Sequence, residues 1–99
     1  MSKIFISGPM TGKPDWNRTA FIYAEMELSQ QGHTVLSPAD TIPLVLPEQI
    51  SHEQYLHICF AMIDVCDTVY FLKGWEQSKG SRAEMDYALE HDKERMFEP

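Results

Sequence analysis

Apolar and polar positions follow two rhythms along this chain. Ile4, Phe5 and Ile6 form a compact apolar run from Lys3 to Ser7 that breaks at Gly8-Pro9, a first strand entering a loop that continues through Thr11 to Asp15. From Trp16 to Gln31 the step lengthens: Trp16, Ala20, Phe21, Ala24 and Leu28 recur every three to four residues. This spacing predicts an amphipathic helix with Asp15 as N-cap and Gly32 just past its end. Thr34-Val35-Leu36, stopped by Ser37-Pro38, is a short second strand. Ala39 to Ile50 carries Pro43 and Pro47 among Leu44, Val45 and Leu46. It is too proline-broken for regular structure and too apolar for a free linker, so a packed loop is expected.

Ser51-His-Glu-Gln54 has the form of a capping box, and Leu56, Cys59, Phe60, Met62, Ile63 and Cys66 continue it as a second helix ending near Val65. Thr68 to Leu72 is a β-rich apolar run, followed by a polar loop and a third helix from Ser81 to about His91. The tail from Asp92 to Pro99 holds either a last strand at Arg95-Met96-Phe97 or a frayed end.

Strands alternating with helices predict an α/β fold of three layers, a parallel sheet of three to four strands flanked by helices in the Rossmann or flavodoxin manner. Ligands of such sheets bind beyond the carboxyl ends of the strands. That edge gathers three loops: Gly8 to Lys13, Ser37 to Asp40, and Lys73 to Glu84. The 99 residues suit one domain spanning 1–99.

Composition narrows the function. Eight Lys and Arg against fifteen Asp and Glu give a net charge of -7, which opposes broad contact with a nucleic-acid polymer because such binding rests on phosphate neutralisation. A small phosphorylated ligand needs only a local nest of amides. No apolar stretch has the roughly 20 residues of a membrane span, and the start is too short for a signal peptide, so a cytoplasmic protein is expected. Cys59 and Cys66, seven positions apart, are expected as reduced core thiols rather than a disulfide.

Two motifs fail on inspection. Gly8 to Pro14 is one residue short of a phosphate loop and places Pro14 where a magnesium-binding Ser or Thr must stand. His52 and His57 are five apart, which turns them about 140° from each other on a helix and prevents a shared metal. No metal site and no cofactor are expected.

The strand–loop–helix from Asp67 to Ala88 carries the candidate chemistry. Ser78, Gly80 and Ser81 supply a flexible turn, and the first amides of the next helix favour an anion. Ser81-Arg-Ala-Glu84 reads as a capping box, in which Glu84 folds back onto the serine amide. The competing reading has Glu84 facing the crevice as a nucleophile, a role carboxylates take at sugar carbons.

Lys3 to Gly12 with Asn17 and Phe21, then Asp67-x-Val-Tyr-x-Leu, Gly74-Trp75-Glu76-x-Ser78-x-Gly80, Glu84, Tyr87 and Ala88, resemble a small phage and bacterial domain. That domain is similar to the nucleoside 2-deoxyribosyltransferases and the deoxynucleoside 5′-monophosphate N-glycosidases. The resemblance implies a nucleoside deoxyribosyltransferase-like fold in which Glu84 attacks C1′ without a cofactor. It also implies a small nucleoside or nucleotide ligand and a homodimer. Ser78 corresponds to a serine that helps hold a 5′-phosphate, which leans the resemblance towards nucleotides, and Gly80 to a glycine beside it. Gly8, with Pro9 and Met10, would line the pocket, and Asn17 would sit near it.

The family aspartate that orients the sugar is replaced by Cys59, leaving Asp64, one turn onward, as a candidate substitute. Asp86 stands where a glycine is usual. Trp75 either stacks on a base or packs as a lid on Pro9 or Met10. Arg82 either pairs with phosphate or is solvated, and His52 either protonates a leaving base or is merely exposed. Loss of the aspartate supports an alternative: a catalytically inactive nucleotide-binding sensor or sponge of phage or prophage origin.

Overall fold

The computed structural model describes residues 1–40 and 49–99. The expected packed loop therefore lies, between 41 and 48, outside the described residues. Four strands, β1 (Lys3–Ser7), β2 (Thr34–Leu36), β3 (Thr68–Phe71) and β4 (Glu94–Phe97), form one parallel sheet in the order β2-β1-β3-β4. Three helices, α1 (Arg18–Gln30), α2 (His52–Asp64) and α3 (Lys79–Glu90), cover it. The three-layer α/β arrangement expected from the alternation is present, and the tail forms a strand.

Side-chain alternation explains why the inner strands read as continuous apolar runs. Ile4, Ile6, Tyr70 and Leu72 pack with Phe21, Ala24 and Leu28 of α1 on one face. Phe5, Val69 and Phe71 pack on the other face with Cys59 and Ile63 of α2 and Ala88 of α3. Both faces of β1 and β3 are buried, as a parallel sheet requires. Each of the large side chains so enclosed contributes about 1.5–3 kcal/mol of burial free energy.

Gly8 lets the ends of β1 and β3 meet. A Cβ there would lie 2.6 Å from Leu72 Cδ1 and 2.9 Å from Leu72 Cβ. The loop after β1 then makes a turn that donates from the Lys13 amide to the Met10 carbonyl at 3.1 Å.

Helix boundaries depart from the sequence reading at two starts. Asp15, Trp16 and Asn17 have φ of 50°, 56° and 61°, so Pro14–Asn17 forms a kinked turn and α1 begins at Arg18 rather than Trp16. Asp15 is therefore not the N-cap. The far end of α1 behaves as expected: Gly32 has φ 95° and donates to Ser29, while His33 donates to Leu28, a Schellman closure. For α2, Ser51 and Gln54 form the anticipated reciprocal capping box, at 3.0 and 2.8 Å.

The second departure matters more. Helix α3 begins at Lys79, and its cap is Ser78, whose Oγ accepts from the Ser81 amide at 3.2 Å. Ser81 and Glu84 therefore form no capping box, because both already lie within the helix. With Ser78 meeting the end groups, the Ser81 and Glu84 side chains are free to turn towards the sheet.

Candidate functional site

Above the carboxyl ends of β1 and β3 lies a cavity of about 650 Å³. The loop from Gly8 to Thr11 forms one wall, the first turns of α3 another, and Tyr55, Leu56 and Cys59 of α2 a third. Its size suits a mononucleotide-sized ligand.

Glu84 lies at the base of this cavity and is 6% exposed. Ser7 Oγ stands 2.5 Å from its Oε1, and the Cys59 thiol is a further hydrogen-bond partner. Burial disfavours the ionised carboxylate and raises its pKa to about 7, against smaller lowering by the Ser7 and Cys59 bonds. The group is thus poised between protonation states near neutrality. Burial, joined by the neighbouring Glu84 charge, pushes the Cys59 thiol far up, so it remains a protonated donor.

Glu84 is also the only carboxylate among the described residues that line the cavity, although the chain has fifteen Asp and Glu. Lys13 and Lys79 line it too, with His52 on the side of α2. Among the described residues the other acids stand away from this wall, which favours an anion at the mouth.

Several sequence candidates meet here. Gly8, Pro9, Met10, Ser78, Gly80, Ser81 and Glu84 all line the cavity. Asn17 does not, but its Nδ2 donates to the Pro9 carbonyl at 2.9 Å and so tethers the Gly8–Met10 loop.

Others are carried elsewhere. Asp64 sits at the end of α2 away from the cavity and is exposed, its Oδ1 accepting from the Tyr87 hydroxyl at 2.5 Å. It thus stands apart from the cavity that Cys59 and Glu84 line. Trp75 packs against Phe71 and Phe97, with ring centroids 5.0 and 6.1 Å away, and is neither a cavity wall nor a lid on Pro9 or Met10. Arg82 is exposed, and its guanidinium donates to the Glu76 carbonyl at 2.8 Å.

The structure adds residues that pattern reading passed over. Ser7 closes an apolar strand with a buried hydroxyl, a signal that a buried polar partner was needed. Trp16 lines the cavity from the run of three left-handed residues, where its place in the apolar rhythm suggested a core helix position. Lys13 belonged to the rejected phosphate-loop lookalike. Tyr55, whose hydroxyl approaches Met10 Sδ at 3.5 Å, joins α2 to the first loop. Among the described residues no three His, Cys, Asp or Glu side chains converge as a metal cluster, and no helix is long and apolar enough to cross a membrane.

The parallel sheet with its flanking helices has a nucleoside deoxyribosyltransferase-like fold. A solved 2-desoxiribosyltransferase from Leishmania mexicana superposes with a TM-score of 0.72 at 19% identity, over 98% of this chain and 63% of that one. The chain thus spans less than two thirds of that protein's length. Residues 2–97 match the family described as a domain of unknown function, DUF4406, and the chain belongs to it. No functionally curated protein matches it in sequence.

Proposed function

We propose that this protein binds a nucleoside or nucleotide and cleaves or transfers at the N-glycosidic bond, with Glu84 as nucleophile. The observation that carries the reading is a buried carboxylate bordering an open cavity, alone of its kind among the described lining residues and held by the Ser7 hydroxyl and the Cys59 thiol. Such a group is complementary to positive charge developing on the substrate, as at the anomeric carbon of an oxocarbenium-like transition state.

In this scheme ionised Glu84 forms a bond to C1′ as the C1′–N bond breaks. The base departs with the bonding pair and takes a proton, for which His52 is a candidate acid among the lining residues. Water, or a second base, then displaces the sugar from the carboxylate and restores Glu84. Trp16 takes the stacking role considered for Trp75, and Lys13, Lys79 and the first amides of α3 favour a phosphorylated substrate.

Incubation with deoxynucleoside 5′-monophosphates and detection of free base tests this. Turnover that disappears in Glu84→Ala, with a sugar adduct on Glu84 by mass spectrometry, supports it. Absence of both base release and base exchange sinks it. One observation favours a second reading, an inactive nucleotide-binding module: the neighbour of Glu84 is a protonated thiol rather than a second carboxylate. Nucleotide binding without turnover marks that alternative. A homodimer, implied by the resemblance, is tested by sedimentation.

A further inference from the structure

The nucleophile assignment leaves two buried hydroxyls without a task. Ser7 is the last residue of β1 and is 0% exposed, while Ser81 lies in the first turn of α3 at 1%. A hydroxyl enclosed in this way is costly unless paired. Ser7 Oγ lies 3.0 Å from Ser81 Oγ and 2.5 Å from Glu84 Oε1, so the three side chains form one continuous line. Capping of α3 is met by Ser78, so it does not require the Ser81 hydroxyl.

Each serine has one hydroxyl proton, which restricts the order of donation. With Glu84 ionised, Ser7 donates to Oε1 and Ser81 donates to Ser7. With Oε1 protonated, Glu84 donates to Ser7 and Ser7 to Ser81. The line accommodates both charge states by rotating hydroxyls, with no movement of the backbone.

We propose that Ser7 and Ser81 form a two-hydroxyl relay that positions the Glu84 carboxylate, anchoring Oε1 and leaving its second oxygen as the attacking atom. Its catalytic meaning rests on Glu84 being the nucleophile, whereas the relay itself concerns only three side chains. Cys59 of α2 is the other group bonded to Glu84, and Tyr55 and His52 of the same helix line the cavity beside it. The serines are positioning residues: neither needs to touch the substrate.

The test is a carbon-detected NMR titration of the Glu84 carboxyl in the wild type, Ser7→Ala, Ser7→Thr and Ser81→Ala, with circular dichroism to verify folding. Removing the donor to the ionised form is expected to raise the midpoint by about one unit in Ser7→Ala. Ser81→Ala shifts it the same way by less, and Ser7→Thr restores it. On the alkaline plateau, Ser7→Ala lowers kcat about tenfold with KM unchanged, because the attacking oxygen loses its positioning. An unmoved midpoint in either folded alanine variant overturns the relay. Where Ser7→Ala does not fold, Ser7→Cys, a weaker donor of similar size, carries the same expectation and the same refutation. If the midpoints move as described but no variant or wild type releases base, the relay stands and the nucleophile assignment falls.

Discussion

The two ends of the sheet treat a carboxylate in opposite ways. At the amino end, Asp67 precedes β3 in the open, accepting from the Thr68 hydroxyl at 2.7 Å and from the Lys3 amide at 3.1 Å. Those bonds favour the ionised form and lower its pKa. At the carboxyl end, Glu84 is enclosed, meets the Ser7 hydroxyl and the Cys59 thiol, and is raised to about 7. Asp67 ties strands together, whereas Glu84 is kept ionisable at a cost to folding. An ionised carboxylate at one edge and a protonatable one at the other follow from how completely each charge is satisfied.

The contrast is broken most severely at Glu84 itself. Glu84→Gln is expected to lower base release at least about a thousandfold, measured by chromatography of the products. Wild-type turnover should climb about tenfold per pH unit below 7 and flatten above, because the nucleophile must be ionised. The same substitution should stabilise the protein. A carboxyl whose pKa is raised from 4.5 in the folded state favours folding below 4.5, and this is lost as pH rises through about 7. Glu84→Gln should therefore gain about 3 kcal/mol over wild type at pH 8 in urea unfolding, the difference vanishing near pH 4.

Gly8→Ala sharpens the comparison from the backbone side. Its new Cβ would overlap Leu72, which is 1% exposed and has little room to yield. A loss of about 1–3 kcal/mol is expected by thermal unfolding. Trp16→Ala should weaken nucleotide binding by about 1–2 kcal/mol in calorimetry without a comparable loss of stability, if a base stacks there. Trp75→Ala should do the reverse, since its ring packs with Phe71 and Phe97. The smallest effect belongs to Asp67→Asn. Its exposed bonds are screened by solvent, so less than about 1 kcal/mol should be lost, and only above the ordinary carboxylate range. That loss should fade as pH falls and Asp67 is protonated, opposite to the behaviour of Glu84.

The layers were legible because burial on two faces imposes a visible pattern: Ile4 to Ile6 and Val69 to Leu72 are apolar throughout, and α2 announced its start through Ser51 and Gln54. Gly8, Ser78 and Glu84 could be singled out from the strand–loop–helix grammar and the resemblance. Long-range pairing was not legible. Nothing in the spacing of Ser78, Ser81 and Glu84 says which serine caps the helix, and that choice decides where the carboxylate points. Trp16 and Trp75 exchanged their expected surroundings for the same reason. Three successive left-handed residues moved the start of α1, while β4 supplied Phe97 as a packing partner for Trp75.

One further consequence concerns the order in which the molecule assembles. The hydroxyl line joins Ser7 to residues 74 and 77 positions away, and β1 sits between β2 and β3. A central strand made first must wait for partners made much later, so native pairing carries a long loop-closure delay and slow topology-limited folding. Water leaves Glu84 only when α3 docks over β1. Desolvation of the Glu84 carboxyl and completion of the fold are then one event, and a ribosome-tethered intermediate short of α3 would hold neither.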